Sequence, residues 1–406
     1  MTAPQRALGQ REFVALMAML VATIAFSIDS MLPALPGMGA ELSPADPNRV
    51  QVVIASFIFG MGLGTLVAGP LSDAFGRRRV MLGGAAIYCV AAAFGAMSPS
   101  LELLLVARVV QGIGAAGPRV AAQAMVRDLY SGRDQARVSS FIMMTFTLVP
   151  AAAPLLGTLI IAGFGWRGIF LSFVVFAVLA NGWLALRQPE TLPPERRRPL
   201  DLRALGRACL EVMRHPNVRR AIAVQTFVFG ALFGTISAIQ PIYQDAFHRA
   251  DSFPYWFALV ALVSAGASFL NARLVGRMGM LWMMRAALGG FLVVSALAAA
   301  GWLAWGEGAG FPAFVLWQTA AFALAGLTIG NVQAIAMQPM GHIAGMASSV
   351  IAAVSTIGAV ALAVPIGLAF EGTPMPLLAG TAACAVAALL LTRTLREEDE
   401  AAPLAA

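Results

Sequence analysis

Runs of about twenty apolar residues, separated by short polar turns, recur along the whole of this chain. Each run has the length of a helix that crosses the ~30 Å hydrocarbon core of a bilayer. Strand-length alternation of apolar and polar positions does not take their place, so helices are expected and a barrel is not. The pattern predicts spans over 13–35, 50–71, 80–97, 101–125, 139–161 and 168–186, then 221–243, 255–274, 286–305, 312–337, 344–370 and 375–391. Twelve helices in two sets of six make an all-α membrane protein.

One polar stretch is much longer than the rest. Residues 187–220 hold Pro189, Pro193, Pro194, Pro199 and the run Arg196, Arg197, Arg198. It reads as a linker, which divides the chain into a first bundle over 1–187, a linker over 188–219, a second bundle over 220–395 and a tail over 396–406. A weak repeat supports duplication. Gly276-Arg277 stands 200 residues after Gly76-Arg77, in the same place between the second and third spans of its half.

Composition bears this out. With 59% hydrophobic and 12% charged residues and a mean hydropathy of +0.79, 406 residues hold more apolar surface than a water-soluble core can bury. All 27 basic residues are arginine, and the net charge of +7 suggests a nucleic-acid partner only until their positions are counted. With the N-terminus inside, 22 of the 27 fall in cytoplasmic segments, which is the positive-inside bias of membrane topology rather than a binding patch. Arg6 and Arg11 precede the first apolar run, but no small-residue cleavage pattern follows it, so an uncleaved first helix is expected. Cys89, Cys209 and Cys384 show neither metal-ligand spacing nor a disulfide framework. Neither metal nor cofactor is implied.

Charges inside the apolar runs are the candidate chemistry. Asp29 lies sixteen residues into the first span, roughly 24 Å along a helix rising 1.5 Å per residue, in the outer half of the membrane. A carboxylate there must be paired or protonated, and a group that changes its proton occupancy is what a proton carrier requires. Arg108 enters from the opposite direction, in the fourth span, at a similar depth, so an ion pair between the two is geometrically reasonable. Gly112-x-Gly114-x-x-Gly117 spells the dinucleotide fingerprint, yet it lies within a span, with no preceding strand. Small residues for close helix contact account for it better. The second half offers Gln225, Gln240, Asn331 and Gln333 and no clearly buried acid, so hydrogen bonding would orient a substrate from that side.

Gly69-Pro-Leu-Ser-Asp73-Ala-Phe-Gly76-Arg77-Arg78 closely resembles the loop between the second and third helices of major facilitator superfamily transporters, with Ala74 where that family usually has a base. Leu104-x-x-x-Arg108-x-x-Gln111-Gly112 is similar to the fourth-helix motif of its drug:proton antiporters, and Pro150, Pro154 and Gly157 to their fifth-helix motif. Asp29-x-x-x-Pro33-Ala34-Leu35-Pro36, Gly165-Trp166-Arg167-x-Ile169-Phe170 and Gln338-Pro339-Met340-Gly341-His342 resemble the Bcr/CflA-type, bicyclomycin-resistance branch.

The resemblance implies the major facilitator fold, two pseudo-symmetric six-helix bundles with a substrate site between them near mid-membrane. It implies that Asp29 and Arg108 couple protons, with Gln111 at the substrate cavity. Gly69, Asp73, Gly76, Arg77, Arg78, Asp128, Pro154 and Gly157 would serve the conformational switch, Asp73 capping the eleventh helix and Asp128 joining the loop arginines. The expected protein is a monomeric multidrug exporter of the bacterial inner membrane, with both termini cytoplasmic. It would exchange small amphiphilic or hydrophobic compounds for protons, and it is not an enzyme. The alternatives are a proton-coupled importer or facilitator of a metabolite, and a non-transporting receptor or scaffold.

Overall fold

The computed structural model describes residues 8–397; Arg6 and the tail beyond Glu397 lie outside them. Among the described residues there is helix and no strand. The chain runs through α1 (Gln10–Asp29), α2 (Leu35–Leu42), α3 (Val52–Phe75), α4 (Arg77–Ala96), α5 (Leu101–Leu129) and α6 (Gly132–Arg187). After α7 (Leu202–Arg214) come α8 (Pro216–Pro241), α9 (Phe253–Met278), α10 (Met280–Met337), α11 (Ala344–Leu368) and α12 (Met375–Thr392).

Two of these helices are too long to cross a bilayer once. α6 has 56 residues and α10 has 58, against the roughly 20 that a single crossing needs. Each is broken at a glycine with positive φ, Gly165 at 64° and Gly306 at 59°, where the chain turns between its two crossings. Counted so, the predicted twelve spans are present. The first span is less regular than expected: α1 stops at Asp29, and a 3-10 turn over Leu32–Ala34 leads into α2. Pro33, which has no N–H to give, sits in that turn. The span pattern does not predict α7, which lies inside the linker.

Packing divides the chain into two compact units, Met1–Leu202 with Ala250–Leu262, and Arg203–Arg249 with Val263–Ala406. In the first, α5 packs against both α3 and α4 at backbone distance. A Cβ on Gly112 would lie 2.1 Å from the Phe57 carbonyl oxygen of α3, and one on Gly114 would lie 2.6 Å from Tyr88 N of α4. The apparent nucleotide fingerprint is therefore a helix-packing seam. One end of this unit is filled by Phe13, Leu16, Met17 and Leu20 of α1 against Met81, Met125 and Leu184.

In the second unit α8 packs against α10, α11 and α12, and there side chains fill the gaps. Gly230 of α8 faces the Leu362 side chain. Tyr243, Phe247, Phe311, Phe314 and Trp317 stack in one aromatic cluster.

Candidate functional site

The break after α1 places Asp29 as the last residue of that helix, buried at 5% exposure. It makes no side-chain hydrogen bond or ion pair among the described residues. Arg108 of α5 is fully buried, and its expected ion pair with Asp29 does not form. Its guanidinium instead donates to the Val53 carbonyl at 3.3 Å, the Ser27 carbonyl at 3.1 Å and Gln111 Oε1 at 2.7 Å. The Phe57 ring covers it, with the centroid 4.4 Å from Cζ.

The physical reason is donor geometry. Each guanidinium nitrogen of a buried arginine needs an acceptor, and two backbone carbonyls and an amide supply one to each without the cost of a second buried charge. The Ser27 carbonyl that Arg108 holds is two residues before Asp29, yet cation and acid are unpaired. Ser27 also hydrogen-bonds the Tyr88 hydroxyl through its own Oγ, and Tyr88 is buried. Ser27 and Tyr88 thus belong to this network. Neither stands out in the sequence, because an uncharged hydroxyl in a span is common. Among the described residues Gln111 Nε2 is buried with no hydrogen-bond partner. Gly157 lies against α1 as well: a Cβ there would be 2.2 Å from the Ser30 carbonyl oxygen. Pro154 is buried one turn before it.

The predicted switch residues form a second cluster in the same unit. Gly76 takes φ 99° between α3 and α4, a conformation side chains disfavour. Arg77 then turns back to pair with Asp73 and with Asp128 Oδ2 at 3.1 Å, and also donates to Ser72 Oγ at 3.0 Å. Arg78 donates to the Ala185 carbonyl. Gly69 lies in the last turns of α3.

Glu190, at the start of the linker, closes this cluster. Its carboxylate accepts from Arg77 N at 2.9 Å and Arg78 N at 3.1 Å, the free N–H groups at the start of α4. Thr191 Oγ1 donates to Asp128 at 2.9 Å, and Arg198 N to the Asp73 carbonyl at 3.2 Å. Sequence reasoning misses Glu190 because it lies 113 residues from Arg77. The signal available is an acid directly after an arginine-ended span.

In the second unit the predicted polar residues do not converge. Gln225 is buried, with Oε1 unpartnered among the described residues, Gln240 donates to Gln244 at 3.1 Å, and Asn331 pairs with Asn271 at 2.8 Å. Gln333 is half-buried. Tyr243 donates to Gln318 at 2.7 Å in a separate buried pair.

The model of the family described as Major Facilitator Superfamily matches residues 15–364. The chain belongs to the Major Facilitator Superfamily. It is therefore a multi-pass membrane transporter, and its twelve-helix architecture is that of its superfamily. It is 30% identical over 373 residues to a bicyclomycin resistance protein homolog of Haemophilus influenzae, covering 90% of this chain and 91% of that one. It is also 39% identical over 166 residues to a chloramphenicol resistance protein of Pseudomonas aeruginosa, covering 40% of this chain and 39% of that one. Among solved structures, a D-xylose-proton symporter superposes with TM-score 0.76 at 14% identity, covering 95% of this chain and 98% of the other. The human organic anion transporter MFSD10 superposes with TM-score 0.68 at 21% identity, covering 96% and 100%. These superfamily structures share the fold.

Proposed function

We propose that this protein exports small amphiphilic or hydrophobic compounds in exchange for protons, by alternating access. The observation that carries the reading is Asp29: a carboxyl group buried at the break of α1, with no partner among the described residues, on the same helix whose Ser27 carbonyl holds the fully buried cation Arg108. A fixed structural acid would be satisfied by hydrogen bonds or by a base, since an unpaired buried charge is costly. An acid that gains and loses a proton during a cycle has reason to be left without a permanent partner.

In this mechanism Asp29 carries the proton. Arg108, resting on the Ser27 and Val53 carbonyls, exchanges one of them for the ionised carboxylate when the proton leaves. Substrate is oriented by the neutral amides Gln111, Gln225, Gln240, Asn331 and Gln333. Gly69, Asp73, Gly76, Arg77, Arg78 and Asp128, with Pro154 and Gly157, govern the change between states. The export direction is supported by the near full-length likeness to the bicyclomycin resistance protein homolog. The protein works as a monomer in the bacterial inner membrane, with both termini and the linker in the cytoplasm, as the 22 arginines on that side favour. Its two domains run over 1–187 and 220–395, joined by the linker over 188–219, with the tail at 396–406. It performs transport and no covalent chemistry.

Proteoliposomes test this. With an imposed pH gradient, drug movement opposite to proton flow supports exchange. Drug uptake driven in the same direction as the protons would replace export with import.

A further inference from the structure

The linker helix α7 is strongly two-sided. Leu205, Ala208 and Val212, spaced by three and four residues, form its buried stripe. Arg207, Leu210, Glu211 and Arg214, at i, i+3, i+4 and i+7, face the other way and line a cavity of about 580 Å³ that is completed by His215, Pro216, Pro339 and Met340. Transport as described above uses none of these residues.

The chemistry of the lining is specific. Arg207 and Arg214 are exposed and stand two turns apart on one helix face. His215 Nδ1 accepts from Val218 N, so its ring proton is on Nε2, available to donate. Glu211, the one acid in the lining, is already met by His342 Nε2 at 2.6 Å. Between the two arginines stands Leu210, half exposed at 50%, with Pro339 and Met340 opposite. The spanning helix α8 starts at Pro216, so the cavity lies where the chain passes into the bilayer.

From this juxtaposition of two arginines, a donor histidine and an apolar wall at the start of α8, we infer that the cavity binds the headgroup of an anionic phospholipid. The phosphate is held between Arg207 and Arg214 by charge-assisted hydrogen bonds. The acyl chains lie along Leu210 and Pro339 into the adjacent leaflet. A basic amphipathic helix beside a membrane-spanning segment is suited to anionic headgroups on general electrostatic grounds, and the cavity adds a defined place for one of them.

The test uses the full-length protein in phosphatidylcholine nanodiscs doped with phosphatidylglycerol, with retained lipid counted by native mass spectrometry. Replacing Arg207→Gln and Arg214→Gln together is expected to lower phosphatidylglycerol retention about 30-fold, from the usual contribution of two basic residues near an anionic surface. The pair Arg196→Gln and Arg198→Gln, which removes the same charge elsewhere in the linker, is expected to leave retention within about 3-fold. The charge-preserving pair Arg207→Lys and Arg214→Lys is expected to keep most of it, which separates loss of recognition from loss of folding. Equal losses in the cavity and control variants, no loss in the cavity variant, or full loss in the lysine variant would each overturn the assignment. So would displacement of the lipid by glycerol phosphate as effectively as by phosphatidylglycerol, which would make this a site for a soluble phosphate.

Discussion

The two loops that join the second and third spans of each half are built on one plan and used differently. Gly76 and Gly279 both take positive φ, at 99° and 83°. Each opens a helix whose first N–H groups are capped by a glutamate from beyond the last span of its half: Glu190 for α4, and Glu397, which accepts from Leu281 N at 2.6 Å, for α10. Arg78 and Arg285 then donate to carbonyls of the same last spans, at Ala185 and Thr392. Among the described residues only the first loop adds an arginine, Arg77, between two acids, Asp73 and Asp128; counted from Gly279, Gly276 holds the place of Asp73 and Met280 that of Arg77. What is duplicated is helix capping, and what is single is the ion-pair cluster. The same split runs deeper. The first half buries charge at Asp29 and Arg108, whereas the second holds neutral pairs such as Asn331–Asn271 and Gln318–Tyr243.

The sharpest way to break this comparison is at the buried charges. Asp29→Asn or Arg108→Gln is expected to lower gradient-driven efflux by at least about 100-fold, because either change strands or removes a charge that the cycle needs. Gln225→Ala or Asn331→Ala is expected to shift the substrate KM by only about 5-fold, the scale of one neutral hydrogen bond. Transport assays at several external pH values check both. If Asp29→Asn kept full efflux at every pH, the first half would not be where protons are coupled.

Backbone contact should separate the halves next. Gly112→Ala puts a methyl group 2.1 Å from a main-chain oxygen of α3 that cannot swing away, whereas a methyl group on Gly290, in α10, would meet nothing within 4 Å. Thermal unfolding in detergent is expected to show a loss of about 1–3 kcal/mol for the first and no loss for Gly290→Ala, alanine being the better helix former. Equal losses would mean that the α3–α5 seam relaxes freely.

The arginines of the two loops give the next contrast. Arg77→Gln removes two carboxylate contacts from a mostly buried guanidinium and leaves Asp128 with Thr191 alone, so about 1–3 kcal/mol is expected. Arg277→Gln, exposed in the last turn of α9, should stay within about 0.5 kcal/mol. Similar losses at both would remove the distinction between cluster and cap.

Spans are legible in the sequence because bilayer thickness imposes a length on apolar runs; even the breaks at Gly165 and Gly306 fall inside the predicted turns. The end of α1 at Asp29 is harder to see, since Pro33 and Pro36 signal a break without fixing which residue ends the helix. Asp29 and Arg108 are found because charges in apolar runs are conspicuous, but their partners are not. Hydrogen bonds to the Ser27 and Val53 carbonyls leave no trace in residue identity. Helix α7 is hidden by the prolines around it, although its buried positions 205, 208 and 212 carry a helical period. Glu190 and Glu397 lie so far along the chain from the N–H groups they cap that only folding brings them together.

The glutamates give the finest test of the shared plan. Glu397 makes one bond to the start of α10, to Leu281 N. Glu190 accepts from Arg77 N and Arg78 N and also from Thr191 N and Leu192 N, which shapes the first residues of the linker. Both carboxylates sit at the positive end of a helix, where one cap is worth about 0.5–2 kcal/mol. Glu397→Ala should therefore cost towards the lower end of that range and Glu190→Ala towards the upper, in the same thermal assay. Protease cleavage within residues 188–198 should rise for Glu190→Ala and stay unchanged for Glu397→Ala. Were the two costs reversed, or cleavage raised equally by both, the extra bonds of Glu190 would not be holding the linker, and the resemblance of the two loops would extend no further than their glycines.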